Sequence, residues 1–144
     1  MLVRIFPRIL HAVLDYGAAL LLIAAPFLFH FSEERPATML SMLFGVMILG
    51  MSLLTNYEGG VRKTIPMDIH LYADIFGGAY LALSPWLYLF SETTYAFHLL
   101  MGIGLCISGL ITVRESQRIV MPKPGDQHIY TSKKQRKRNV SING

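Results

Sequence analysis

A single cysteine, Cys106, stands among 144 residues, so neither an intrachain disulfide framework nor a thiolate metal cluster is available. Charge is scarce as well: Asp, Glu, Lys and Arg make up 15% of the chain, too little for the polar helix faces of a water-soluble domain of this size. No Walker or dinucleotide glycine fingerprint occurs, and the pairs Gly59-Gly60 and Gly77-Gly78 lack the strand context such a loop needs. No small-x-small cleavage site closes the first apolar run, and Pro26 sits where one is expected, so the run reads as a retained span and not as a signal peptide. No separate nucleophile with a paired base is present either, so an enzyme reading needs a substrate cavity and a metal-bound water.

What the chain does have is apolar length. Four stretches, roughly 9 to 31, 37 to 55, 69 to 90 and 95 to 113, each approach the ~20 residues that a bilayer-spanning helix requires. Segments such as Ala18 to Phe29 and Gly102 to Leu110 are apolar all the way round. The expected fold is all-α, a polytopic membrane four-helix bundle.

The chain also contains itself twice. Pro7-x3-His11-x3-Asp15 running to Pro26 and Phe31-Ser32-Glu33 returns 59 positions later as Pro66-x3-His70-x3-Asp74 running to Pro85 and Phe90-Ser91-Glu92. Carried onward, the same offset pairs Ala37 with Ala96, Leu40 with Leu99, Met42 with Met101, Gly45 with Gly104, Ile48 with Ile107 and Gly50 with Gly109. About fifteen identities over residues 7 to 54 mark a duplicated two-helix unit. The expected organisation is a first repeat over 1–66 with the middle loop, a second over 67–116, and a basic tail over 117–144. Each repeat contributes an even number of spans, so the two should be parallel and related by a pseudo-twofold axis along the membrane normal.

Basic residues set the orientation. Of 13 Lys and Arg, only Arg35 lies in the loops after the first and third helices, which carry Glu33, Glu34 and Glu92. Arg4, Arg8, Arg62, Lys63 and all those from Arg114 to Arg138 gather at the other end. The positive-inside rule then predicts a multi-pass protein of the prokaryotic inner membrane with both termini and the middle loop cytoplasmic. The run Lys133-Lys134-Gln135-Arg136-Lys137-Arg138 is expected to meet anionic lipid headgroups from a partly disordered tail. Nucleic acid ranks below lipid as its partner, since no aromatics interleave those charges. A homo-oligomer is compatible with four spans.

Helix ends and contacts follow from small residues and prolines. Pro7 and Pro66 suit first turns, whereas Pro26 and Pro85 fall about one turn before the outer ends and should loosen them. Ser41 with Gly45, Gly78 with Ala82, and Gly104 with Ser108 are spaced for close backbone approach. Trp86, Tyr88 and Tyr95 suit an interfacial aromatic belt. His98 reads as a hydrogen-bonded packing residue, and His30 as a solvated one.

The informative chemistry lies in His11, Asp15, His70 and Asp74. Residues four apart share a helix face, and about two turns beyond each proline, some 12 Å along, the carboxylates lie inside the hydrocarbon boundary. An ionised carboxylate there costs at least about 2.5 to 3.5 kcal/mol, so both pairs must face the bundle interior and converge. Three readings follow, in descending order: buried His–Asp hydrogen bonds that lock the first and third helices, a divalent metal held by the two His and one or both Asp, and a proton or ion relay. Haem held by His11 and His70 is a variant of the second, and would make a redox protein.

Ser84-Pro85-Trp86, at the outer end of the third helix of a duplicated two-helix unit, resembles the SPW-repeat family of small prokaryotic integral membrane proteins. The resemblance covers most of residues 7 to 113 and is most specific from Ile65-Pro66-Met67 through His70 and Asp74 to Leu87. The first repeat reads Ala25-Pro26-Phe27 instead, keeping only the proline. The resemblance implies a two-repeat integral membrane protein and brings no reaction with it, so the role of the quartet rests on its own physics.

Overall fold

A computed structural model describes residues 5–114. The basic tail therefore lies outside the described residues. Four helices follow one another: α1 (Arg8–Leu28), α2 (Arg35–Leu54), α3 (Met67–Leu87) and α4 (Ser91–Ile111). At 1.5 Å per residue a 21-residue helix is about 31 Å long, the thickness of a bilayer core. Helices α1, α2 and α4 are long and apolar enough to cross a membrane. Helix α3 has the same length as α1 but carries Asp68, His70 and Asp74 in its first two turns. Exposed Leu, Ile, Val, Phe and Met side chains cover all four helices, as the surface of a bundle dissolved in lipid requires.

Each repeat is a tight helical hairpin, α1 on α2 and α3 on α4, and α2 meets α3 over a smaller area. Helices α1 and α3 start at Pro7 and Pro66 with matching backbone angles (φ −64°, ψ 142° and φ −59°, ψ 143°). They end alike too, with the next-but-one residues, His30 and Leu89, in the left-handed region (φ 58° and 59°), and with Phe31 and Phe90 turned inward at the end of each outer turn. For the first helix of each repeat the offset of 59 holds.

For the second helix it does not. A Cβ on Gly45 would lie 2.8 Å from the Ala19 carbonyl and 2.6 Å from Ile23, and the residue making the same approach to the corresponding Gly78 and Ala82 is Gly102. The helices end at Thr55 and Thr112 with φ −78°, ψ 143° and φ −74°, ψ 139°. Buried Gly45, Ile48 and Ser52 on α2 answer to Gly102, Leu105 and Gly109 on α4. The offset from α2 to α4 is thus 57, which corrects the pairing of Gly45 with Gly104: nothing lies within 4 Å of a Cβ on Gly104. The second outer connection is two residues shorter, and α4 absorbs the difference at Thr94, whose angles (φ −151°, ψ 43°) break the helix in its first turn. The contacts recurring in both hairpins are consistent with parallel repeats.

Two short backbone bridges close the opposite end. Phe6 pairs with Thr112 and Ile65 with Thr55, which seats the entry of each first helix beside the exit of the other repeat's second helix. The loop of residues 55–66 folds back over the bundle: Arg8 donates to the Asn56 carbonyl and lies 3.5 Å from Glu58, and Tyr16 donates to the Gly59 carbonyl at 2.8 Å. Gly60 sits so close to the Thr55 carbonyl that a side chain there has no room.

Candidate functional site

The four residues singled out in the sequence meet at one point. His11, Asp15, His70 and Asp74 are all buried, and one ligand atom from each lies within 4.8 Å of every other. His70 Nε2 is 3.1 Å from His11 Nε2 and 3.0 Å from Asp15 Oδ2. His11 Nε2 is 3.3 Å from Asp15 Oδ2 and 3.2 Å from Asp74 Oδ2. His70 Nε2 is 3.4 Å from Asp74 Oδ2. Each carboxylate reaches the imidazole of the opposite repeat at least as closely as its own helical neighbour, so the i, i+4 pairs are cross-linked into a single cluster.

The far side of each imidazole is fixed. Thr55 Oγ1 donates to the Met51 carbonyl at 2.7 Å and lies 2.8 Å from His70 Nδ1. Thr112 Oγ1 donates to the Ser108 carbonyl at 2.6 Å and lies 3.0 Å from His11 Nδ1. With its hydroxyl proton committed to the Met51 carbonyl, the Thr55 oxygen is left as an acceptor from His70 Nδ1, whereas His11 Nδ1 faces two hydroxyls, Thr112 at 3.0 Å and Ser108 at 2.8 Å, and can donate to the first or accept from the second. Where Nδ1 carries the proton, the Nε2 atom facing the carboxylates presents a lone pair in the neutral ring. Sequence reading missed these threonines. Their signal was present only as hydroxyl residues at the last turns of α2 and α4, and it becomes readable once the offset is 57.

Tyr57, also missed, covers the cluster from the loop between the repeats. It is 1% exposed, its ring centroid lies 6.3 Å from that of His11 and 5.6 Å from that of His70, and its hydroxyl donates to Asp15 Oδ2 at 3.3 Å. Ser52 donates to the same oxygen at 3.2 Å. Asp74 Oδ2, also buried, has no such hydroxyl donor and faces only the two imidazoles. Burial holds the Tyr57 phenol well above its ordinary pKa. Above about pH 10 the unfolded chain therefore releases this proton while the folded chain keeps it, and stability falls as pH rises. Tyr57→Phe is expected to flatten that alkaline decline, read from Tm in detergent between about pH 9 and about pH 11.

The other sequence candidates fall elsewhere. His98 is fully buried at the outer end, its Nε2 3.1 Å from the Ala37 carbonyl, with Phe31, Phe90 and Phe97 around its ring; it ties α4 to α2 as a packing residue. Trp86 lies at the surface with its ring 6.1 Å from that of Tyr95. No slot for a haem macrocycle lies between His11 and His70, because their Nε2 atoms stand 3.1 Å apart with the carboxylates of Asp15 and Asp74 against them.

The model of the SPW repeat domain matches residues 9–112, most of the chain. The chain belongs to the SPW repeat family. No curated protein and no solved structure matches it.

The tripeptide of this SPW protein has a physical reading. Pro85 lacks an N–H, so the Leu81 carbonyl one turn back loses its helical partner, and in hydrocarbon such a group has no water to turn to. Ser84 Oγ donates to that Leu81 carbonyl at 2.7 Å. Pro26 frees the Leu22 carbonyl in the same way, but Ala25 stands where the serine would be. There Ser41 reaches across from α2 and donates to Leu22 O at 2.6 Å. The first repeat can do without the tripeptide serine because its second helix supplies the hydroxyl, and His98 occupies the matching position on α4. Ser84→Ala and Ser41→Ala are each expected to cost about 1–3 kcal/mol, the penalty of one stranded buried acceptor, with a fall in Tm and no change at the His–Asp cluster.

Proposed function

We propose that this SPW protein is a multi-pass protein of the prokaryotic cytoplasmic membrane whose two repeats are clamped by one divalent metal ion, zinc by preference, at His11, Asp15, His70 and Asp74. The observation that carries the reading is the shape of the donor set. Zinc–nitrogen and zinc–oxygen bonds of about 2.0–2.1 Å at tetrahedral angles place ligand atoms about 3.3–3.4 Å apart. Five of the six distances between the four atoms run from 3.0 to 3.4 Å, and the sixth, between the two carboxylates, is within 4.8 Å. Two Nδ1-protonated imidazoles and two carboxylates carry a net charge of −2, which a divalent cation neutralises inside the bilayer. A metal-free cluster instead has to share protons between the two Nε2 atoms, 3.1 Å apart, and the carboxyl groups. Asp74 Oδ2, which faces both Nε2 atoms and no hydroxyl, has a natural role as a ligand.

All four positions come from the protein, as in structural zinc centres, and none is left for substrate. The reading is accordingly a binding and architectural one. Thr55 and Thr112, hydrogen-bonded to the outer nitrogens, orient the rings as the partners of metal-bound histidines do. The charge distribution supports cytoplasmic termini, which places the cluster in the cytoplasmic half of the bilayer.

The test is elemental analysis of detergent-purified protein. Wild type is expected to hold about one zinc per chain after dialysis against a weak chelator, and Asp74→Asn, which keeps the shape and removes the charge, to lose it. Equal metal in wild type and Asp74→Asn, or none in either, sinks the assignment.

A further inference from the structure

The His–Asp cluster is sealed on every side, and only one seal faces water. Along the bundle axis, buried Ala19, Leu22, Phe44 and Leu81 close it from the outer half. Sideways, Asp15 borders an apolar cleft of about 510 Å³ between α1 and α4, and Asp74 borders an apolar recess of about 50 Å³ between α2 and α3. Both open towards hydrocarbon, which a hydrated divalent cation does not cross. The remaining side is the end that carries Arg8, Arg62 and Lys63. There Tyr57 lies over both imidazoles, packed with Ala12, Met67 and Leu71.

Tyr57 sits on a flap and not on a helix. The base of its loop is anchored through the backbone: the N–H groups of Val61 and Arg62 donate to the Leu53 carbonyl at 2.8 and 3.0 Å, that of Ile65 to Leu54 at 2.9 Å, and that of Asn56 to Ile65 at 2.8 Å. Between these anchors the N–H groups of Tyr57 and Gly60 bond within the loop itself, to the Thr55 and Tyr57 carbonyls. Side chains of α1 tie the tip down. Tyr16 donates to the Gly59 carbonyl at 2.8 Å, and Arg8 donates to the Asn56 carbonyl and lies 3.5 Å from Glu58. Ties of this kind are individually weak, so a tip of about five residues can lift while its base stays in place.

The flap has no twin. The position 57 residues after Tyr57 is Arg114, which lies over the Tyr72 ring, 5.2 Å from its centroid, and 3.2 Å from Asp68. Resting on the metal reading above, we propose that residues 56–60 gate the exchange of the clamp's ion: zinc enters and leaves when Tyr57 lifts off the histidine rings, and Tyr16 and Arg8 set how often it lifts. Because the closed form dominates, weakening a tie raises the frequency of opening, and entry and exit quicken together while affinity stays as it was. A contact that only held the bundle together would lower affinity and stability instead.

The experiment follows zinc loss from loaded, detergent-purified protein into an excess of chromogenic chelator, and zinc uptake by the metal-free protein, both by stopped flow. Tyr16→Phe is expected to lose zinc about fivefold faster than wild type, the value of one neutral hydrogen bond. It should take zinc up faster by the same factor and hold as much at equilibrium with a competing chelator. Arg8→Gln frees the same tip from another contact, and carries the test if Tyr16→Phe does not fold. Ser84→Ala loosens the bundle at the far end and should exchange at the wild-type rate. Wild-type rates in Tyr16→Phe and Arg8→Gln overturn the flap, and so does faster loss with unchanged uptake. Ser84→Ala exchanging as fast as the flap variants overturns it as well, since loosening of the whole bundle would then be the route. Each of those results leaves the clamp standing, because wild type still holds its zinc; a wild type that holds none removes both.

Discussion

If the cluster is the metal clamp proposed above, His70→Ala is expected to lose the metal and to lower the stability of the bundle by on the order of 3–5 kcal/mol, the range for stranding a buried charge when its partner is deleted. Two carboxylates, Asp15 and Asp74, each almost fully buried, are left with one imidazole and no cation. The cost comes from both repeats at once, because His70 touches Asp15 of the first hairpin at 3.0 Å and Asp74 of its own at 3.4 Å. His11→Ala does the same by symmetry. The losses do not add: once either histidine is gone the site no longer closes, so the double variant should fall little below the single ones. Metal removal provides the control. A strong chelator lowers the Tm of wild type, through the linkage between binding and folding, and leaves the Tm of His70→Ala where it was. A variant whose Tm still responds to chelator, or a wild type whose Tm ignores it, contradicts the clamp.

Gly102→Leu prevents α3 and α4 from packing, while Gly104→Leu, two residues on, is tolerated. A Cβ on Gly102 would collide with the Gly78 carbonyl and the Ala82 backbone, and one on Gly78 would lie 2.6 Å from the Gly102 carbonyl and 2.9 Å from the Cys106 nitrogen. These contacts are with backbone, which cannot swing away, so the cost exceeds the ~1–3 kcal/mol of ordinary overpacking. Gly45→Leu should fail in the same way against Ala19 O and Ile23. At Gly104 the site is open. Yield of monodisperse protein in detergent and Tm separate the two outcomes, and equal behaviour of Gly102→Leu and Gly104→Leu contradicts the offset of 57 for the second helices.

That offset shows where sequence reading ran out. The His–Asp spacing placed four ligands on inward faces because burial in hydrocarbon dictates it, and the structure brings all four together. The helices were legible from apolar length alone, to within a few residues: α4 begins at Ser91, four residues before the apolar run that announced it. Identity between the repeats then misled. Ala37, Leu40 and Gly45 have identical residues 59 positions on, but apolar side chains in lipid-facing helices are drawn from so few types that such matches arise without shared position. Some pairs that do share position, Ser41 with His98 and Ser52 with Gly109, differ in chemistry, and no count of identities finds them. The threonines are identical but stand 57 apart, out of step with the offset of 59 that the first helices set, and Tyr57 escaped because it sits in a loop whose fold depends on the bundle beneath it.

The crossing of hydroxyls between the hairpins has one more consequence. Thr55 of the first hairpin steadies His70 of the second, and Thr112 of the second steadies His11 of the first. A lone two-helix chain pairing with its own copy would already own two imidazoles, two carboxylates and both threonine props, so the centre can be assembled by self-association of a polypeptide half this long. Tandem fusion adds no imidazole or carboxylate to it. What fusion does supply is licence for the halves to diverge, and two features present once are of that kind: the Tyr57 cover, contributed by the linker between the halves, and the open α1–α4 groove, which a symmetric pair would have to open or close on both sides together.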